Sequence, residues 1–124
     1  MDIFVKPQDD IEVEVYAWED KENGNLTASN EASDAPKEVE VQIVKCRFRK
    51  PTYQDSNTIL RTASITGGAS QPDVMSFQDA VIRSLLLEVT FNGETTDMRQ
   101  AKINSLNPHI ARAAVAAVLL KVSL

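Results

Sequence analysis

From Ile103 to Leu124 the chain reads INSLNPHIARAAVAAVLLKVSL, and almost every residue after Pro108 is Ala, Val, Ile or Leu. Asn107 is placed to cap a helix and Pro108 to occupy its first position. At about 100° per residue, His109, Arg112, Ala116 and Ser123 fall on one narrow stripe, and nearly everything else is Ala, Val, Ile or Leu. Such a helix must be buried in the core of its own protein, in a membrane or against a partner. With about 16 residues, Arg112 and Lys121 among them, it falls short of the roughly 20 apolar residues of a membrane span. No membrane span is expected. The run Ala113–Ala117 is small enough for close helix approach, which suits a central core helix and a shared interface alike.

A chain of 124 residues is long enough to bury a usable core as a single domain, residues 1–124, without disulfides or metals. Its formal charge of −5 does not suit a molecule built to coat nucleic acid. The charge is unevenly placed: residues 1–44 carry twelve acids against three lysines, a net of −9, and residues 45–124 carry six acids against ten Lys and Arg, a net of +4. Two faces that attract each other within the fold would explain this, as would an acidic arm for a basic partner. The single cysteine, Cys46, excludes an internal disulfide and fits a reducing compartment. MDIFVKPQDD has neither a basic nor a long apolar segment, so no signal peptide is expected.

Ile11–Trp18, IEVEVYAW, alternates with period two: Ile11, Val13, Val15 and Ala17 point one way and Glu12, Glu14, Tyr16 and Trp18 the other, the pattern of a half-buried strand. Residues 19–37 are rich in Asn, Ser, Ala and acids without periodicity, and are expected to form a mobile loop. Glu38–Lys50 is a second strand whose apolar phase shifts between Ile43 and Val44, which predicts a β-bulge there. Thr52, with Asp55 three residues on, approximates a capping box and opens a helix to about Ala63. Gly67-Gly68 breaks the chain; Asp73 or Ser76 caps a helix over 74–89; Asn92-Gly93 marks a turn; and a short helix over 97–106 precedes the closing one. The expected fold is therefore α+β: a small antiparallel sheet of two or three strands within residues 1–50, with a mobile loop at 19–37, then three or four packed helices in 51–124.

No catalytic constellation emerges. His109, at a helix start with no Cys or second His nearby, is a poor metal ligand. Cys46 lies between Val44 and Phe48 in a strand and reads as a core side chain, with Lys45 and Arg47 on the opposite face. SITGGASQ lacks the Lys-Ser/Thr of a phosphate loop. The acid pairs Asp9-Asp10 and Glu19-Asp20 sit in solvated sequence, unsuited to acid–base work. The expectation is a non-enzyme without cofactor or metal. Lys45, Arg47, Arg49 and Lys50, interleaved with Phe48 and followed by Tyr53, form a basic patch that could hold phosphates and stack bases. The acidic segment beside it would repel phosphate, so nucleic acid is not the expected partner.

Three stretches, RKPTYQDSNTILR, FQDAVIRSLLLEV and INSLNPHIARAAVAAVLLKV, follow one another in a layout over about residues 45–124 that resembles the small tail-assembly chaperones and baseplate-hub assembly proteins of contractile-tailed bacteriophages. The resemblance implies a virion assembly factor of the host cytoplasm. Such a factor keeps an aggregation-prone tail or hub component soluble, often as an oligomer around it. Residues 9–40 depart from the layout, which leaves open a structural subunit of the virion, joined through strand pairing at Ile11–Trp18. The resemblance transfers no binding residue. From the apolar surface of the two long helices, Leu86, Leu87, Ile110, Val118 and Leu119 are the expected contacts to a protein partner or a second copy.

Overall fold

The computed structural model describes residues 3–6, 8–67 and 74–124. Strands β1 (Asp10–Glu19), β2 (Leu26–Ser29), β3 (Gln42–Arg49), β4 (Leu86–Phe91) and β5 (Glu94–Asp97) form one antiparallel sheet in the order β2-β1-β3-β4-β5. Helices α1 (Tyr53–Gly67) and α2 (Val74–Leu85) lie between β3 and β4, and α3 (Gln100–Ser105) and α4 (Pro108–Leu119) follow β5. The fold is α+β, but the sheet has five strands, not two or three. β2 lies within the stretch read as a loop, and β4 and β5 lie within the part expected to be helical. The Gly68 break and the Asp73 cap fall outside the described residues; Ser76 lies inside α2, two residues after its start.

One face of the sheet is the floor of the core. Register sets Val13 opposite Cys46, Val15 opposite Val44, Cys46 opposite Val89 and Phe48 opposite Leu86, and all of these are buried. Above them come Ile59 of α1, Ala80, Val81, Ile82 and Leu85 of α2, Ile103 of α3, and Ala113, Ala114, Val115, Ala117 and Val118 of α4. α4 packs over β1 and β2, and α2 packs against α1, α3, α4 and β4. The closing helix is thus a core element, and its polar stripe of His109, Arg112, Ala116 and Ser123 is exposed. The buried alanines of α4, Ala113, Ala114 and Ala117, let it approach the sheet closely, where burial of each larger aliphatic side chain stabilises by about 1.5–3 kcal/mol.

The helix starts are set by local hydrogen bonds. Thr52 N–H donates to Asp55 Oδ2 (2.9 Å) and Asp55 N–H to Thr52 Oγ1 (3.2 Å), a reciprocal capping box. Asn107 Oδ1 accepts from the amides of His109 (2.9 Å) and Ile110 (3.4 Å), with Pro108 at the first helical position. The irregularity in β3 is not at Ile43–Val44. Val39 and Val41 precede the strand, so β3 itself keeps a single phase, and the register shifts between Arg47 and Phe48, where Leu87 of β4 is the extra residue.

Candidate binding cleft

The helix layer does not cover the whole sheet. At the end where β1 and β4 finish and β3 begins, a cleft of about 790 Å³ opens, within the roughly 300–1,000 Å³ of ligand pockets. Ala17, Val44 and Val89 form its floor, Leu26 and Ile110 are half-buried on its walls, and Phe91 stands exposed at its mouth. Trp18 lines the cleft too, and shares a second hollow with Pro36 and Val39.

The rim is acidic. Glu19, Asp20, Glu38 and Glu40 line the cleft, and the cation among them, Lys21, is paired with Glu38 at 3.0 Å. Turn chemistry holds this rim. Asp20 N–H donates to the Asn25 carbonyl and Gly24 N–H to the Asp20 carbonyl, both at 2.8 Å. Asp20 Oδ1 also accepts from Glu22 N–H (2.8 Å), Asn23 Oδ1 accepts from Asn25 N–H (2.9 Å), and Gly24 adopts φ +72°. These residue types close turns by bonding their own backbone, which lets β2 return along the end of β1.

The opposite face of the sheet is polar. Arg47 Nε donates to Glu88 Oε1 (2.8 Å) and its Nη1 to Asp10, and Lys45 Nζ lies 4.0 Å from Glu12. The hydrogen bond to Glu88 holds the Arg47 guanidinium more firmly protonated, against the opposing effect of burial, with Asp10 adding to it; the same bond holds the Glu88 carboxyl below its usual range. Arg49 leaves this face to bind Asp55. Three of the four residues of the basic patch are therefore matched to acids of this chain, and Lys50 alone is exposed without an ion pair among the described residues. A nucleic acid phosphate would have to displace those carboxylates.

Of the five apolar residues expected to face a partner, two are in the core and three are partly exposed. Leu86 and Val118 are in the core, and Leu87, Ile110 and Leu119 are half-buried; of the five, only Ile110 lines the cleft. The structure does not gather them into one surface. The apolar residues that line the cleft with Ile110 include Trp18, Val44, Val89 and Phe91, which sequence distance keeps apart. Cys46 is fully buried, and burial pushes its thiol up to about 12, so it is no nucleophile at neutral pH. Among the described residues no group of three His, Cys, Asp or Glu side chains is placed to hold a metal, and no helix is long and apolar enough to cross a membrane. Comparison of the chain with family models, with curated proteins and with solved structures finds no significant match.

Proposed function

We propose that this chain is a non-enzymatic protein-binding factor, chaperone-like in action, whose cleft receives an apolar segment flanked by Lys or Arg on a partner protein. The observation that carries the reading is the acid-rimmed cleft with an apolar floor of Ala17, Val44 and Val89 and an exposed Phe91 at its mouth. Apolar contacts supply affinity for a sticky segment, and the surplus acids favour a basic one and raise its association rate. Assembly of a phage tail or baseplate in the host cytoplasm is the setting implied by the resemblance over residues 45–124, and an aggregation-prone tail or hub protein is the client it would bring.

Trp18 is the only tryptophan in the sequence and lines the cleft, so its fluorescence reports occupancy. Titration with an amphipathic peptide of Leu and Lys is expected to change Trp18 emission saturably, with weaker binding at high salt and in Phe91→Ser. The same peptide with Glu for Lys is expected to have no effect. Equal responses to both peptides, or none to either, would overturn the reading.

A further inference from the structure

A second surface lies away from the cleft. β2 is four residues long and pairs with β1 only from Tyr16 to Glu19, so among the described residues the outer edge of β1 from Asp10 to Val15 has no neighbouring strand. The backbone direction along this edge follows from three bonds. Lys50 N–H donates to the Asp9 carbonyl (3.0 Å), so odd-numbered residues face β3. Asp20 bonds Asn25 on the β2 side (2.8 Å), and the Glu12 carbonyl accepts from Lys121 Nζ (3.1 Å), so even-numbered residues face outward. The amides of Glu12 and Glu14 thus point away from the sheet. Beside them is a hollow of about 350 Å³ lined by Val13, Tyr16, Asn30, Ala117, Leu120 and Lys121, and Leu120 is 78% exposed there.

The occupant of this edge is written in the strand that already occupies the other one. β3 sets Lys45 opposite Glu14 and Arg47 opposite Glu12 on the polar face, and Val44 and Cys46 opposite Val15 and Val13 on the core face. A strand added on the open side would meet the same two acids. Glu14 takes a hydrogen bond from Tyr16 (3.2 Å) and no ion pair among the described residues, and Glu12 has only the 4.0 Å approach of Lys45. A second copy of β1 fits poorly: antiparallel pairing about Val13 would bring Glu12 of one copy against Glu14 of the other, and like charges directly opposite are destabilising.

We propose that the Asp10–Val15 half-edge is a strand-addition site for an extended segment of a partner protein in which Lys or Arg alternates with apolar residues. The basic side chains pair with Glu12 and Glu14, the apolar ones enter the hollow beside Ala117 and Leu120, and the main chain bonds the outward amides. Lys121 gives way from the Glu12 carbonyl as the strand docks. In the empty protein it blunts the edge, as lysines on exposed edges do.

The test is amide hydrogen exchange by NMR on the full chain with a synthetic peptide of the β3 sequence, QIVKSRFR, which carries serine for Cys46. Saturable binding with new protection at the Glu12 and Glu14 amides is expected. Glu14→Pro, which removes an outward amide and leaves the β3 ladder intact, is expected to weaken binding about tenfold. The double neutralisation Glu12→Gln and Glu14→Gln, which sets no like charge opposite Lys45 or Arg47, is expected to weaken it about fivefold. Unchanged protection of Val13 and Val15 confirms that both variants fold. Unaltered exchange at Glu12 and Glu14 with saturating peptide overturns the proposal, as does a saturable change of Trp18 emission without protection at Glu12 and Glu14, which would place the peptide in the cleft. Dimer formation without peptide, with Glu12 and Glu14 protected, would assign the edge to a second copy and overturn it as well.

Discussion

Arg49 grips Asp55 with two hydrogen bonds, Nη1 to Oδ2 at 2.6 Å and Nη2 to Oδ1 at 2.8 Å, and its Nη2 also reaches the Ser84 carbonyl at 2.8 Å. One guanidinium thus ties the end of β3 to the first turn of α1 and the last turn of α2. Asp55 is committed twice, since it also closes the capping box with Thr52. Asp55→Ala removes both roles and leaves Arg49 without its counter-ion. Denaturant unfolding is expected to show a loss of about 2 kcal/mol, against about 1 kcal/mol for Thr52→Ala, which removes only one arm of the cap. Equal losses would mean that the ion pair adds nothing.

The same carboxylate gives stability a pH dependence. Burial alone would raise its pKa, but the bonds from Arg49 and Thr52 outweigh burial and hold it below the ordinary value. Between the lowered folded value and the unfolded value of about 3.9, the unfolded chain binds a proton that the folded chain does not. The contribution is therefore fully present above the unfolded value and is lost as pH falls through the folded one. The gap in unfolding midpoint between the native chain and Asp55→Asn is expected to be constant from about pH 6 to 8 and to narrow below about pH 4.

Cys46 lies at the centre of the sheet, between Val13 and Val89 in register, and is fully buried with its thiol pushed up to about 12. A thiol-specific reagent at neutral pH is expected to leave it unmodified in the folded protein and to label it fully in denaturant. The labelling rate under native conditions then measures opening of the sheet. Rapid labelling without denaturant would contradict this burial.

The local signals in the sequence were the readable ones. The alternation of Ile11–Trp18 marks β1 within one residue at each end, and Thr52, Asp55, Asn107 and Pro108 act within their own turns, so their neighbours in sequence suffice to identify them. β4 was hidden because Leu85, Leu86 and Leu87 continue the apolar run of α2, and a period of 3.6 runs smoothly into a strand. Val89, Thr90 and Phe91 before Asn92-Gly93 were the signal for a hairpin. β2, Leu26–Ser29, is four half-buried residues without alternation, and only pairing to β1 makes it a strand. The cleft draws Val44, Val89 and Ile110 from three distant segments, and the open edge of β1 exists because β2 stops at Ser29; neither depends on a pattern local to its residues.

The hairpin turn gives a direct check on β5. Asn92 and Gly93 have φ of +53° and +77°, as a two-residue hairpin turn requires. A Cβ at Gly93 would meet nothing within 4 Å, so Gly93→Ala carries a backbone cost and no steric one. A loss of about 1 kcal/mol is expected, together with faster amide exchange at Thr96 and Met98, whose register places their amides in the β4–β5 ladder. A neutral substitution would mean that β5 adds nothing to the sheet.

Two alanines of α4 separate a core helix from an interface helix. Ala114 is fully buried and Ala116 is exposed on the stripe with His109 and Arg112. In the folded single chain Ala114→Leu forces three extra heavy atoms into a filled space over the sheet and is expected to cost about 1–3 kcal/mol. Ala116→Leu only lengthens a solvated side chain and should stay within about 0.5 kcal/mol. If the exposed stripe were instead shared with a second copy or a client, Ala116→Leu would change the solution mass or the binding of the Leu and Lys peptide while leaving the unfolding midpoint of the dilute protein unmoved. Light scattering over a dilution series, run beside denaturant unfolding of both variants, distinguishes these outcomes. Destabilisation confined to Ala114→Leu, with one mass at all dilutions, fixes the apolar face of Pro108–Leu119 as the protein's own core.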